Sequence, residues 1–208
     1  MDIDEYIAEH ISEEPEHLRR LYRQTYLRHL YPRMCSGHLQ GRLLKMLTQM
    51  IRPRRIIELG AFTGYSALCM AEGMPADAEL HTIEINDEMA DELAQTFGSS
   101  PWADRIHLHI GDALDIIPRL DGPWDMAFID ANTRSYSAYY EALVPRMAPG
   151  GYILADNTLW DAHVVDPSTS RDPQTAGILA FNDLVAADPR VEKVILPLRD
   201  GLTLIRII

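Results

Sequence analysis

The sequence predicts an α/β fold: a mostly parallel, seven-stranded sheet with helices on both faces and an antiparallel hairpin at its C-terminal end. Three observations predict it. Apolar strand-like runs alternate with helix-length segments from Arg55 to Ala155, the rhythm of a parallel sheet with right-handed crossovers. Two of these runs, Met126-Ala127-Phe128-Ile129 and Tyr152-Ile153-Leu154-Ala155, are apolar on both faces, as buried parallel strands are. Near the C-terminus, the runs 191–198 and 202–208 flank Asp200-Gly201, a turn pair characteristic of hairpins.

The elements follow in order. Residues 14–31 read as an amphipathic helix whose Tyr22, Tyr26, Leu27 and Leu30 form an apolar stripe, ended by Pro32. A second helix spans 39–50, and the basic turn 52–55 delivers the chain into the first strand. Strands are expected at 55–59, 79–85, 106–110, 126–130 and 152–155. Helices are expected at 65–73, 87–97, 113–119, 135–147 and 174–187. There is no internal repeat and no low-complexity segment.

Composition narrows the class. The chain has 208 residues, 47% of them apolar, enough for one well-buried core and one domain, with 1–33 as a helical extension and 34–208 as the core. A formal charge of −12 repels a polyphosphate backbone, so nucleic acid is disfavoured as a partner. The acidic first 16 residues do not read as a secretory signal, and no apolar run is long enough to span a membrane. Cys35 and Cys69 are the only cysteines, too few for a disulfide framework. They are expected to be free thiols in a reducing cytoplasm.

The most informative stretch is Ile56-Ile57-Glu58-Leu59-Gly60-Ala61-Phe62-Thr63-Gly64-Tyr65-Ser66: an apolar strand, an acidic residue, two glycines, then a helix. Glycines at 60 and 64 are expected to clear the turn for a ligand and to permit backbone angles other residues resist. A second strand-like run ends in Glu84, 26 positions after Glu58, where a carboxylate can hold a ribose diol. The pair implies an adenosine-bearing cofactor. Glu58 would repel a pyrophosphate yet tolerate a sulfonium and an ammonium group, which argues against a dinucleotide.

A second constellation lies at the strand ends, where ligands of open α/β sheets gather. Asp130 ends the fourth strand, and Asp156 and Asn157 end the fifth. Two carboxylates and an amide oxygen make a hard, oxygen-only set suited to Mg²⁺, Mn²⁺ or Ca²⁺, with positions left open for water and substrate. An Asp-Asn pair is equally at home as a turn that caps the next segment.

Together these residues resemble the cation-dependent class I O-methyltransferases, which include catechol and caffeoyl-CoA O-methyltransferases and bacterial relatives. The resemblance runs from Met34-Cys35-Ser36-Gly37-His38-Leu39-Gln40-Gly41 through residues 58–66, Gly111-Asp112-Ala113, Phe128-Ile129-Asp130-Ala131, Pro149-Gly150-Gly151, Ala155-Asp156-Asn157 and Asp200-Gly201-Leu202. It implies a Rossmann-like class I methyltransferase fold and S-adenosylmethionine as cofactor. Glu58, Gly60 and Ala61 would lie along the methionine part, with Ser36 and Ser66 near its carboxylate and Tyr65 in the same site. Glu84 would grip both ribose hydroxyls, Asp112 and Ala113 would border the adenine, and Asp130 would serve both cofactor and metal. A divalent cation, Mg²⁺ or Ca²⁺, would be held by Asp130, Asp156 and Asn157, with Trp160 and Asp161 facing the acceptor.

One position departs from the family. Many relatives read Asp-Ala-Asp-Lys after the metal aspartate, with the lysine taken as general base, whereas this chain has Asp130-Ala131-Asn132-Thr133. Threonine has no useful basicity near neutral pH. The metal alone could acidify the acceptor, His38 or His163 could take the proton, or the protein could bind cofactor without efficient turnover. The first reading is preferred, and no catalytic residue is assigned.

The remaining candidates are set aside. His107 and His109 share a strand face but read as strand-surface histidines, because no third ligand is evident nearby. Tyr136, Tyr139 and Tyr140 read as packing residues, and 163–175 as an active-site loop. The expected activity is methyl transfer to a hydroxyl of a small catechol-like or phenolic acceptor by a cytoplasmic homodimer without membrane contact. The alternatives are a tRNA hydroxyuridine O-methyltransferase and a catalytically weak cofactor-binding protein.

Overall fold

A computed structural model describes residues 1–169 and 171–208. The strands β1 (Arg55–Leu59), β2 (Glu79–Glu84), β3 (Ile106–Ile110), β4 (Trp124–Ile129), β5 (Met147–Ala155), β6 (Val191–Leu196) and β7 (Leu202–Ile207) form one sheet in the order β3-β2-β1-β4-β5-β7-β6. The first five strands run parallel, while β7 inserts antiparallel between β5 and β6. The fold expectation is therefore met. The chain moves outward from β1 to β3, then crosses back to β4 on the other side of β1. That reversal opens a crevice above the carboxyl ends of β1 and β4.

Helices cover both faces. α2 (Glu16–Arg28), α3 (Gly37–Ile51), α4 (Tyr65–Gly73) and α5 (Ala90–Gly98) supply Leu18, Leu44, Met70 and Leu93 to one core. α6 (Ala113–Ile116), α7 (Tyr136–Leu143) and α8 (Pro173–Ala187) supply Tyr136, Tyr140, Leu143 and Phe181 to the other. The strands feed both cores by alternation. Ile56, Met126 and Phe128 face the first, and Ile57, Ala127 and Ile129 the second. Continuous apolar strands are what such two-sided burial requires, and each fully buried Leu, Ile or Phe side chain contributes about 1.5–3 kcal/mol.

Several boundaries shift for local reasons. Within the expected helical extension 1–33, a helix not individually delimited from the sequence, α1 (Ile3–His10), precedes α2; Asp2 and Glu5 make a reciprocal capping box, yet none of its residues is buried. The expected helices 87–97, 113–119 and 135–147 hold shorter α-helices flanked by 3₁₀ turns, with Pro118 and Pro145 at the start of two of these turns. β5 begins at Met147, earlier than expected.

The stripe of α2 is also corrected. Its buried residues are Leu18, Leu21 and Thr25, whereas Tyr26, Leu27 and Leu30 are exposed. Leu30 lies beyond the helix, which ends at Arg28. Cys35 and Cys69 are buried free thiols, and burial pushes Cys35 up to about 11. Among the described residues, no helix is long and apolar enough to cross a membrane.

Candidate functional site

The site begins at the turn between β1 and α4. The amides of Gly60 and Ala61 donate to the carbonyl of Ile83 at 2.9 and 3.2 Å, tying the turn to the end of β2. Gly60 has φ +95°, and a Cβ there would lie 2.0 Å from the carbonyl oxygen of Asp130; a Cβ on Gly64 would lie 2.7 Å from the Phe97 ring. The glycines are thus demanded by the protein's own packing: the turn presses on the tip of β4 and on α5. The permissive backbone angles expected at both glycines are present, with φ +95° at Gly60 and +86° at Gly64.

Two carboxylates flank the turn. Glu84 ends β2 and is buried; its Oε2 accepts from the amide of Phe62 at 2.8 Å and its Oε1 from that of Asn86 at 2.9 Å. These bonds orient the carboxylate and leave lone pairs free. Glu58 is fully buried one layer behind. Its Oε2 accepts from the Thr82 hydroxyl at 2.5 Å, while its Oε1 has no hydrogen-bond partner. Burial drives its pKa to about 7 against the opposing effect of Ser66 and Thr82. A buried carboxylate oxygen without a donor is costly, which is why burial favours the protonated form here.

The second cluster is assembled by sheet pairing. The amide of Asp130 donates to Leu59 O and that of Asp156 to Ile129 O, both at 2.9 Å, so the tips of β1, β4 and β5 meet. Burial, and then the neighbouring Asp156 carboxyl, hold the Asp130 carboxyl far above the ordinary range, with Arg199 opposing. Asp156 Oδ2 accepts from Gln40 Nε2 at 2.6 Å, and its Oδ1 from the amide of Asn157 at 2.9 Å. Asn157 has a left-handed φ of 59°. The Asp-Asn pair therefore does form a turn, and it does so at the strand tip.

A cleft of about 1030 Å³ joins both clusters. Of the residues singled out in the sequence, Ser36, Gly60, Ala61, Tyr65, Ser66, Glu84, Ala113, Asp130, Asp156, Asn157 and Trp160 line it, whereas Glu58, Asp112 and Asp161 do not. Asp112 instead caps α6, accepting from the amide of Leu114 at 2.8 Å. Asp161 lines an adjoining cavity of about 380 Å³ together with Trp160, His163 and Asp200. Tyr65 is almost wholly buried, and its hydroxyl donates to Glu14 at 2.5 Å. Thr133 also lines the cleft, buried, with its hydroxyl unpartnered. His38 is engaged elsewhere, with the carbonyl of Ser12 at 2.8 Å. Tyr136 and Tyr140 are fully buried packing residues, and Tyr139 borders the cleft. Within the segment 163–175, Ser170 lies outside the described residues.

Sequence reading assigned no role to two residues here. Gln40 is buried and bridges Asp156 to Arg199, whose Nη1 donates to Gln40 Oε1 at 3.1 Å. Arg199 also donates to the carbonyls of Cys35, Ser36 and Arg33. It thereby binds the β6–β7 hairpin to the segment that roofs the cleft. No local signal marks either residue, because their partners lie more than a hundred positions away in the chain.

A seven-stranded sheet of this order, with a glycine turn, a buried glutamate ending β2 and paired aspartates at its switch point, defines a class I methyltransferase architecture. Comparison with known proteins agrees. The family model for O-methyltransferases matches residues 8–208. Caffeoyl-CoA O-methyltransferase 1 of Eucalyptus globulus is 34% identical over 203 residues, covering 93% of this chain and 82% of that protein. An O-methyltransferase from Bacillus cereus, solved in complex with SAH, superposes with a TM-score of 0.92 at 28% identity, covering 99% of this chain and 97% of that one. TomG from Streptomyces achromogenes, an O-methyltransferase of tomaymycin synthesis solved with SAM, gives 0.91 at 30% identity, covering 99% and 95%. The chain belongs to the O-methyltransferase family, and its class is that of the S-adenosylmethionine-dependent enzymes.

Proposed function

We propose that this O-methyltransferase moves the methyl group of S-adenosylmethionine to one hydroxyl of a small catechol-like or phenolic acceptor, using a divalent cation, Mg²⁺ or Ca²⁺, held by Asp130, Asp156 and Asn157. One observation carries this reading. The carboxyls of half-buried Asp130 and buried Asp156, at adjacent strand tips, are both held above the ordinary carboxylate range, by desolvation first, and they border the same cleft as the glycine turn and Glu84. Such a pair fits a cation. The donor set is oxygen-only, which suits a hard ion that retains open positions.

When bound, the cofactor supplies an electrophilic methyl with its own leaving group, and the cation lowers the pKa of an acceptor hydroxyl. The chain's own residues bind and orient. Glu84 is pre-set by the amides of Phe62 and Asn86 to accept from the ribose hydroxyls. Glu58 sets a negative charge behind the turn, suited to the sulfonium and ammonium groups. Ser36, Ser66, Gly60, Ala61 and Tyr65 line the methionine end and Ala113 the adenine end, with Asp112 holding the start of α6. Trp160 walls the acceptor side. Asp161 lines the adjoining cavity, and in this reading it meets a polar substituent of a longer acceptor. Proximity and charge thus account for the rate, since Thr133 offers no base.

Dihydroxyphenols incubated with labelled cofactor, with and without EDTA, test the reading. Activity abolished by chelation and returned by Mg²⁺ supports it; full activity in EDTA removes the cation from the scheme. Increasing salt separates a phenol from a tRNA acceptor, whose affinity would fall steeply. We further propose a homodimer through the exposed Tyr26, Leu27 and Leu30, to be checked by light scattering.

A further inference from the structure

A second cluster of ligating side chains lies at the opposite end of β2 from Glu84. Glu79 and Glu84 are five positions apart on β2, which puts Glu79 about 16 Å along the strand from Glu84. The parallel register sets His81 beside His107 and Ile83 beside His109, and residues two apart on a strand share a face. The third ligand that was not evident in the sequence is therefore supplied by the neighbouring strand. The His81 and His107 rings are 4.6 Å apart between centroids.

The geometry points to a site for a borderline transition-metal cation of the Zn²⁺ type, bound by Glu79, His81 and His107, with His109 orienting His81. Among the described residues, one ligand atom from each of the three lies within 4.8 Å of the others. His81 Nε2 is 3.7 Å from Glu79 Oε1, and His107 Nε2 is 3.5 Å from Glu79 Oε2. Tetrahedral donors at Zn²⁺ bond lengths stand about 3.3–3.5 Å apart, so small side-chain rotations suffice.

A second observation is independent of that spacing. His81 Nε2 is buried and has no hydrogen-bond partner, while its other nitrogen, Nδ1, pairs with His109 Nε2 at 3.0 Å. With Nδ1–H as donor, the Nε2 lone pair is left facing Glu79. This is how a partner beyond the metal fixes the tautomer of a ligating histidine.

Arg55 Nε donates to Glu79 Oε1 at 2.8 Å, which leaves Oε2 free beside His107. The Arg55 charge opposes a cation and weakens the site. Solvent reaches it, since the side chains of His107 and Glu79 are 42% and 39% exposed. Its imidazole-rich donors distinguish it from the all-oxygen set at the strand tips, which suits hard ions. A metal here would clasp the edge strand β3 to β2.

The test titrates EDTA-treated, gel-filtered full-length protein with Zn²⁺ by calorimetry and with Co²⁺ by visible absorption, in excess Mg²⁺. Asp156→Asn is measured in parallel to separate the strand-tip site. The expected result is one Zn²⁺ equivalent that survives Asp156→Asn, weakens at least tenfold in His107→Ala and in Glu79→Gln, and weakens about tenfold or more in His109→Ala. The Co²⁺ bands should vanish in His107→Ala, whose fold is checked by circular dichroism. No Zn²⁺ binding, binding unchanged in His107→Ala and Glu79→Gln, or binding lost in Asp156→Asn would each overturn the proposal.

Discussion

Glu58 concentrates the chemistry of the cofactor end in one buried carboxyl. With a folded-state value of about 7 against an ordinary 4.5, it binds protons more tightly folded than unfolded. Its contribution to stability is therefore complete below pH 4.5 and is lost as pH rises through 7. In the proposed function, a bound sulfonium and ammonium would pull the value down again, so that cofactor binding would release a proton. The expected outcome is an affinity for S-adenosylmethionine that falls up to about tenfold per unit as pH drops below 7. Glu58→Gln should flatten that profile, as calorimetry across about pH 5.5–8.5 would reveal. Thr133 sits buried and unpartnered in the same cleft. Thr133→Lys should raise the rate at neutral pH more than at alkaline pH, because a general base contributes about 10²–10⁴-fold where solvent base is scarce. An equal gain at every pH would refute a missing base.

The turn between β1 and α4 is the element on which the cleft depends. Gly60→Ala would place a Cβ at left-handed φ against the Asp130 carbonyl, 2.0 Å away, and backbone cannot rotate aside. Left-handed strain and overpacking together should destabilise the fold by about 2–5 kcal/mol, measured by urea unfolding. At Gly98, the end of α5, a Cβ would meet no atom within 4 Å, and the backbone there is not left-handed. Gly98→Ala should stabilise by about 0.4–1 kcal/mol. Both glycines look alike in the sequence; only their neighbours separate them. The hairpin is the other decisive element, since β7 sits between β5 and β6 and the turn between β6 and β7 carries Arg199 to the segment 33–36 beside the cleft. The hairpin turn was legible from Asp200-Gly201, but its reach to Gln40 and Ser36 was not.

For the whole molecule, the two cores and the sheet meet at the cleft, so ligand binding and global stability are coupled. Cofactor at about 100 times its Kd should stabilise the folded state by about 2.7 kcal/mol. For a chain of this size that amounts to a rise of about 5–11 °C in Tm. Differential scanning fluorimetry would measure it, and Glu84→Gln should reduce the rise, because in the proposed function this carboxylate accepts from the ribose hydroxyls.

The sequence by itself determined the strand–helix rhythm, the parallel sheet, the glycine turn and the pairing of Glu58 with Glu84, because these rest on local periodicity and short spacing. Asp130, Asp156 and Asn157 were legible as strand-end residues on the same grounds. Only the tertiary structure decided that Glu58 lies behind the cleft, that Asp112 caps a helix, and that Tyr26 and Leu27 face outward. It alone drew Gln40 to Asp156 and set His81 beside His107. Those facts depend on strand register and helix rotation, which arise when distant segments bury their apolar faces together and which no local run of residues encodes.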